Sequence, residues 1–228
     1  VKNTAIVTGA SSGIGREISR VLVEMGYEVY GFGREFPEEE VYFHPIVCDL
    51  LNTPELERQI KEIRRRNDVS LLVNNAGVGY YGLHEELNVQ KIQKLVRTNL
   101  EVPMVLTNLL LRDLKKYSGT VINISSVTAQ LSNPHGCAYG ATKAGLSSFS
   151  RSLFDEVRKY GVRVVTIQPD MTKTDLYRNA DFAQGEEEAS YLLPEEIAEA
   201  VRNILQMREG AVVTEITLRP QLHRIRRK

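Results

Sequence analysis

Along this chain, short runs of apolar and β-branched residues alternate with longer stretches in which apolar positions recur at helical spacing. The runs are Thr4–Thr8, Glu28–Phe32, Phe43–Val47, Ser70–Val73, Thr120–Ile124, Arg163–Ile167 and Ala211–Leu218. Their apolarity is nearly continuous rather than alternating, the pattern of strands buried on both faces in a parallel sheet. Between them the periodicity predicts helices over about 13–25, 54–66, 88–116, 139–159 and 194–207. Lys61, Arg64, Arg65 and Arg66 place positive charge at the C-terminal end of the second helix, and Pro194-Glu195-Glu196 opens the last one. Repeated strand–helix alternation predicts an α/β fold with a doubly wound parallel sheet and right-handed crossovers. No internal repeat, linker or low-complexity stretch interrupts it, so residues 1–228 read as one domain.

Composition narrows the partners rather than the fold. The 228 residues are 42% hydrophobic and 25% charged, ordinary for a globular chain that buries a large core. Lys plus Arg and Asp plus Glu both number 29, so the net charge is zero. A balanced chain has no global attraction for nucleic acid or an anionic membrane, and any anion site must be local. Cys48 and Cys137 lack metal-ligand spacing and read as reduced single thiols, so no metal is expected. No apolar run approaches the roughly 20 residues that span a bilayer, and the N-terminus carries no signal-peptide pattern. The expected location is cytoplasmic.

Two local patterns carry chemistry. After the first strand stands Thr8-Gly9-Ala10-Ser11-Ser12-Gly13-Ile14-Gly15, a glycine-rich turn opening a helix. Glycine lets the backbone approach a pyrophosphate closely, and the helix N-terminus offers oriented N–H donors, so this junction points to a dinucleotide. The second strand ends in Gly33-Arg34, with no carboxylate to accept from a ribose hydroxyl. The Arg34 fork, helped by Ser11, suits a 2′-phosphate, which favours NADP over NAD; alternatively Arg34 is solvated or pairs with Glu35. Asp49 either accepts from an adenine amino group or caps the helix following Asn52-Thr53-Pro54. The second pattern is Tyr139-x-x-x-Lys143, with Ser126 thirteen residues before the tyrosine. Four helical residues return a side chain to nearly the same face, so the ammonium is placed to favour the phenolate of a group that otherwise titrates near 10.

Thr8–Gly15, Asn74-Asn75-Ala76-Gly77, Asn99, Ser126 and Tyr139-x-x-x-Lys143 occur in this order at suitable separations. Together they resemble the short-chain dehydrogenase/reductase family, in its compact form. The resemblance implies a Rossmann-type sheet of about seven strands and a catalytic segment over 99–143. In it, Ser126 holds the substrate oxygen and Tyr139 exchanges its proton. Lys143 lowers the tyrosine pKa and binds the nicotinamide ribose. The Asn99 carbonyl, in a distorted helix, holds a water that links Lys143 to solvent. The implied cofactor-binding set is Gly9, Ser11, Ser12, Gly13, Ile14, Gly15, Arg34, Asp49, Leu50, Asn75, Ala76, Gly77, Tyr139, Lys143, Pro169, Thr172 and Thr174. Ser125 rivals Ser126, but the spacing favours Ser126 and leaves Ser125 structural. The family's Pro-Gly after the sixth strand is Pro169-Asp170 here, and Thr172 replaces its valine. Asp170 either biases the charge of the substrate or turns a loop.

The substrate pocket is expected from the 127–138 and 170–193 connections, with Thr128, Gln130, His135, Cys137, Met171, Leu176 and Tyr177 as candidates. The polar stretch Asn179–Ser190 is long for a connection and reads as a lid or a loose loop. His223-Arg224-Ile225-Arg226-Arg227-Lys228 is basic and reads as a solvated tail or a subunit contact. Apolar residues around much of 99–116 and 139–159 must bury a second face, which, with the family's habit of pairing these helices, suggests a homodimer or homotetramer. The function expected is NADP(H)-dependent hydride transfer between the nicotinamide and a small carbonyl compound or secondary alcohol. A non-catalytic dinucleotide-binding regulator and an NAD-preferring dehydrogenase are the competing readings.

Overall fold

A computed structural model describes residues 3–36, 42–178 and 180–227. Residues 37–41, along with Asn179 of the polar connection and Lys228 of the basic end, lie outside the described residues. The strands are β1 (Thr4–Thr8), β2 (Glu28–Gly33), β3 (His44–Val47), β4 (Val69–Asn74), β5 (Thr120–Ile124), β6 (Arg163–Pro169), β7 (Phe182–Gln184), β8 (Glu215–Leu218) and β9 (Ile225–Arg227). The helices are α1 (Gly13–Glu24), α2 (Thr53–Arg66), α3 (Val89–Val96), α4 (Val102–Lys116), α5 (Cys137–Val157) and α6 (Pro194–Leu205). Seven strands form one parallel sheet in the order β3-β2-β1-β4-β5-β6-β8. This is the doubly wound Rossmann-type fold that the alternation predicted.

Period-two geometry divides each central strand between two cores. Ala5 and Val7, Leu71 and Val73, Ile122 and Ile124, and Val165 and Ile167 face one cluster, which Ile18, Leu22, Ile197 and Val201 of α1 and α6 complete. The intervening Ile6, Leu72, Val121 and Val164 face the other, packed by Ile60 of α2, Leu106, Leu110 and Leu114 of α4, and Leu153 and Val157 of α5. Burial on both faces is why the strands lack polar alternation. Each such side chain contributes roughly 1.5–3 kcal/mol on leaving water. The apolar circumference of α4 and α5 is thus partly covered by the fold itself. Val105, Leu109, Leu111 and Phe149 stay half-buried, and Met104 is exposed.

The order reverses between β1 and β4, and the loops leaving their carboxyl ends therefore diverge and open a crevice. Two elements depart from the sequence expectation near it. The helix expected over 88–116 is interrupted by a π-helical turn at Arg97–Glu101, where one extra residue enters the turn. The strand expected over Ala211–Leu218 is found only over Glu215–Leu218, where it pairs with Thr166–Pro169 of β6. A third element was not foreseen: β7 and β9 pair antiparallel in a two-stranded ribbon outside the main sheet. No helix among the described residues is long and apolar enough to cross a membrane.

Candidate active site

The crevice begins with the turn after β1. Gly9 has φ of +67°, a left-handed conformation that costs glycine nothing, and a Cβ at Gly15 would overlap the Gly9 carbonyl and the Asn75 amide. The turn is fastened to the β4 loop. The Thr8 hydroxyl accepts from the backbone N–H groups of Asn75 and Ala76, each at 3.0 Å, and Asn75 Nδ2 donates to the carbonyls of Thr8 at 3.0 Å and Gly9 at 3.3 Å. These bonds leave the first turn of α1 pointing into open space, where its N–H groups and the helix dipole suit an anion.

A cavity of about 580 Å³ runs from this turn across the carboxyl edge of the sheet. Gly9, Ser11, Ser12, Gly13, Ile14, Arg34, Asp49, Leu50, Asn75, Ala76, Gly77, Pro169, Thr172 and Thr174 line it, together with Ser126, Tyr139 and Lys143. Of the residues expected to hold a cofactor, only Gly15 stays off the wall, buried beneath the turn. Arg34 is exposed at the rim and makes no ion pair among the described residues, Glu35 included. The helix after Asn52 is capped by Asn52 itself, whose Oδ1 accepts from Glu55 N–H at 3.4 Å. The Asp49 carboxylate accepts instead from Leu51 N–H at 3.0 Å, so the capping alternative for Asp49 is set aside.

At the other end, α5 carries Tyr139 and Lys143 on one buried face, each 4% exposed. Ser126 lies at the end of β5, hydrogen-bonded to Tyr139, and accepts from Thr128 N–H and Oγ1. Ser125 is tied away, its hydroxyl donating to the Lys143 carbonyl at 3.0 Å and lying 2.9 Å from Ser147 Oγ. Lys143 Nζ donates to the Ile124 carbonyl at 2.8 Å and stands 5.7 Å from the Tyr139 ring centroid. Burial pushes the phenol up to about 12, only partly offset by the Ser126 bond, and the ammonium does not reverse it. The same burial lowers Lys143 to about 8. Helical spacing put the two groups on one face, and burial of that face moves both toward their neutral forms.

Asn99 occupies the π-turn, 1% exposed. Its side chain accepts from Val78 N–H and donates to the Val78 carbonyl, both at 2.9 Å, and also donates to Thr142 Oγ1 at 3.2 Å. It therefore binds the loop after β4 to α5. Asp170 turns its loop, accepting from Met171 N–H at 2.8 Å, and pairs with Arg219 Nε at 3.0 Å.

The expected substrate residues divide. Leu176 and Tyr177 line the large cavity, whereas Thr128 and Cys137 line a separate hollow on the outer side of α5. Gln130 is engaged with Gln168, His135 is exposed, and Met171 is buried. Sequence reasoning missed Tyr81, whose ring lies 5.6 Å from that of Tyr139, and Phe182, 5.1 Å from Tyr81. The only signal for Tyr81 was a pair of aromatics inside the glycine-rich stretch Gly77-Val78-Gly79-Tyr80-Tyr81-Gly82.

Comparison with known proteins gives the family and the fold. Residues 3–184 match the family described as short chain dehydrogenase. The chain is 32% identical over 191 residues to an NADPH-dependent 3-dehydrocapnine reductase of Ornithobacterium rhinotracheale, covering 77% of this chain and 68% of that one. It is 33% identical over 184 residues to a serine 3-dehydrogenase of Agrobacterium fabrum, covering 77% and 74%. Among solved structures, an alcohol dehydrogenase from Thermococcus sibiricus complexed with 5-hydroxy-NADP superposes with a TM-score of 0.85 at 28% identity, covering 98% of both chains.

The Lys143 burial has a measurable consequence. With a folded pKa of about 8 against an ordinary 10.5, the folded chain releases a proton that the unfolded chain still holds. The cost of burying the ammonium is present below the lower value and is relieved as pH rises through the window, so stability rises with pH there. Across pH 8 to 10.5, wild type should gain about 3 kcal/mol relative to Lys143→Met in urea unfolding. Parallel stability curves for the two proteins would show that the ammonium is solvated.

Proposed function

The chain belongs to the short-chain dehydrogenase family and is an oxidoreductase, and from that premise we propose that it reduces a small carbonyl compound with NADPH. The observation that carries this reading is the gathering of Ser126, Tyr139 and Lys143 at one end of a cavity whose other end is the glycine turn and the N-terminus of α1. The donor set fits a dinucleotide. The turn offers backbone N–H groups beside a helix N-terminus, and the missing Cβ of Gly15 lets the chain fold tightly enough to present them. Once bound, the nicotinamide supplies the hydride; the protein supplies placement and the proton.

Ser126 orients the substrate oxygen by a hydrogen bond. Tyr139, with a phenol pushed up to about 12, is protonated at neutral pH and is therefore an acid ready to neutralise the negative charge developing on that oxygen. This protonation state suits reduction better than oxidation. Lys143 holds the nicotinamide ribose and adds positive charge near the phenol. The carbonyl of Asn99, in the π-turn, carries the proton path outward through water. Backbone donation from Thr172 to the carboxamide needs no particular side chain, so the departure from the family's valine leaves it intact. Arg34 and Ser11 receive the 2′-phosphate, and the fork, exposed at the rim and without an ion pair among the described residues, favours NADP over NAD.

Two chains pair through α4 and α5, where Met104, Val105, Leu109 and Phe149 stay exposed or half-buried. A dimer or tetramer is expected in sedimentation at micromolar concentration, and a monomer would refute the pairing. Tyr139→Phe should lower kcat by at least about a thousandfold while NADPH still binds, because only the proton donor is lost. Turnover near wild type in that variant would remove Tyr139 from the chemistry. Arg34→Ala should weaken NADPH by about tenfold or more and leave NADH nearly unchanged in fluorescence titration, since a charge-assisted fork is lost. Equal losses for both cofactors would take Arg34 off the phosphate.

A further inference from the structure

The ribbon of β7 and β9 lies beside the proposed catalytic tyrosine. Its register sets Phe182 opposite Arg227, Ala183 opposite Arg226 and Gln184 opposite Ile225. Ribbons this short are marginal alone, so other contacts must hold this one. Gly185 N–H donates to the Arg224 carbonyl at 3.0 Å, and Leu222 N–H donates to the Ala189 carbonyl at 2.9 Å. Arg226 pairs with Glu186 at 3.2 Å, and Arg224 pairs with Glu187. The basic segment read from the sequence as a solvated tail or subunit contact is thus bound to the acidic loop read as a lid.

What the ribbon positions is a ring. Phe182 packs edge-on to Tyr81 at 5.1 Å and lies 5.6 Å from Tyr177, while Tyr81 and Tyr177 are 5.8 Å apart. Tyr81 in turn lies against Tyr139. The three rings pack into one aromatic wall, of which Tyr177 lines the cavity that holds the phenol, itself only 4% exposed. Burial pushes the Tyr81 and Tyr177 phenols up, so the wall is uncharged at neutral pH. A compound whose oxygen reaches Tyr139 lies beside the Tyr177 ring in the same cavity, and aromatic faces and edges favour a flat apolar partner.

We propose that Phe182, held by the basic segment 222–227, is a positioning residue that fixes the Tyr177 ring and so sets specificity, and that the carbonyl substrate carries a flat apolar group seated on Tyr177. This rests on the hydride-transfer reading above. Arg224 and Arg226 act as positioning residues through Glu187 and Glu186, and they touch neither substrate nor cofactor.

The experiment has one arm that needs no turnover. In hydrogen–deuterium exchange, the double variant Arg224→Glu with Arg226→Glu should raise exchange of the 182–185 amides by about tenfold, with the central strands unchanged. Adding Glu186→Arg and Glu187→Arg should restore protection, because the pairs re-form with opposite sign. In the kinetic arm, NADPH-dependent reduction of benzaldehyde is compared with that of propanal. Phe182→Ala should raise KM for benzaldehyde about tenfold more than KM for propanal. The double arginine variant should show the same split and the quadruple variant should reverse it. Unchanged exchange at 182–185, or equal KM shifts for both aldehydes, would overturn the proposal. So would a wild type that reduces propanal but not benzaldehyde. A protein that binds no nicotinamide cofactor would instead defeat the hydride-transfer reading, and the exchange arm would still decide whether the segment holds the wall.

Discussion

Thr8 and Asn75 join the ends of two neighbouring parallel strands at the point where the strand order reverses. Loops diverge there, and diverging loops leave backbone N–H and C=O groups without a ladder to pair with. One hydroxyl that accepts twice and one amide that donates twice satisfy four of them. The glycine turn is thereby fixed against the β4 loop, α1 is aimed into the crevice, and Gly77 is set beside Asn99 and Lys143. The cavity depends on this fastening, since the turn and the β4 loop are two of its walls.

Burial governs the other end. Tyr139 and Lys143 sit on a helix face sealed by β5, the π-turn and the aromatic wall, and their pKa values are moved mainly by loss of water. The phenol is held protonated and the ammonium is brought close to losing its proton, so both stand nearer to the neutral state than free side chains would. In such a setting one hydrogen bond or one nearby charge has more effect than in solvent. The Asn99 side chain keeps this arrangement in register by joining the loop after β4 to α5. The π-turn provides the room, because an inserted residue rotates one side chain out of the helical repeat.

How much was legible in the sequence varies along the molecule with the range of the interactions involved. Strands β1 and β5 appear over the residues expected, because their apolar runs are local and uninterrupted. The glycine turn and the Tyr139–Lys143 face were legible for the same reason: each is set by spacing within a few residues. Asp170 could not be resolved from its neighbours, since the partner that settles it, Arg219, lies 49 residues away. The capping alternative for Asp49 was closed by Asn52, which takes the N-cap position itself. Thr128 and Cys137 line a hollow apart from the large cavity, a division the sequence did not show because a connection's sequence does not say on which side of a helix it lies.

By itself the sequence determined the doubly wound sheet, the dinucleotide turn and the presence of residue types able to exchange a proton. These follow from periodicity and short spacings, which act before the chain is folded. Only the tertiary structure decided the state of those groups and what surrounds them. The upward shift of Tyr139 comes from desolvation by elements distant in sequence. The wall of Tyr81, Tyr177 and Phe182 gathers side chains from separate loops, and the ribbon that holds it joins a basic segment to an acidic one about forty residues away. Charges and rings so far apart along the chain interact only after the loops between them have closed, a cost in chain entropy that the packed sheet must offset.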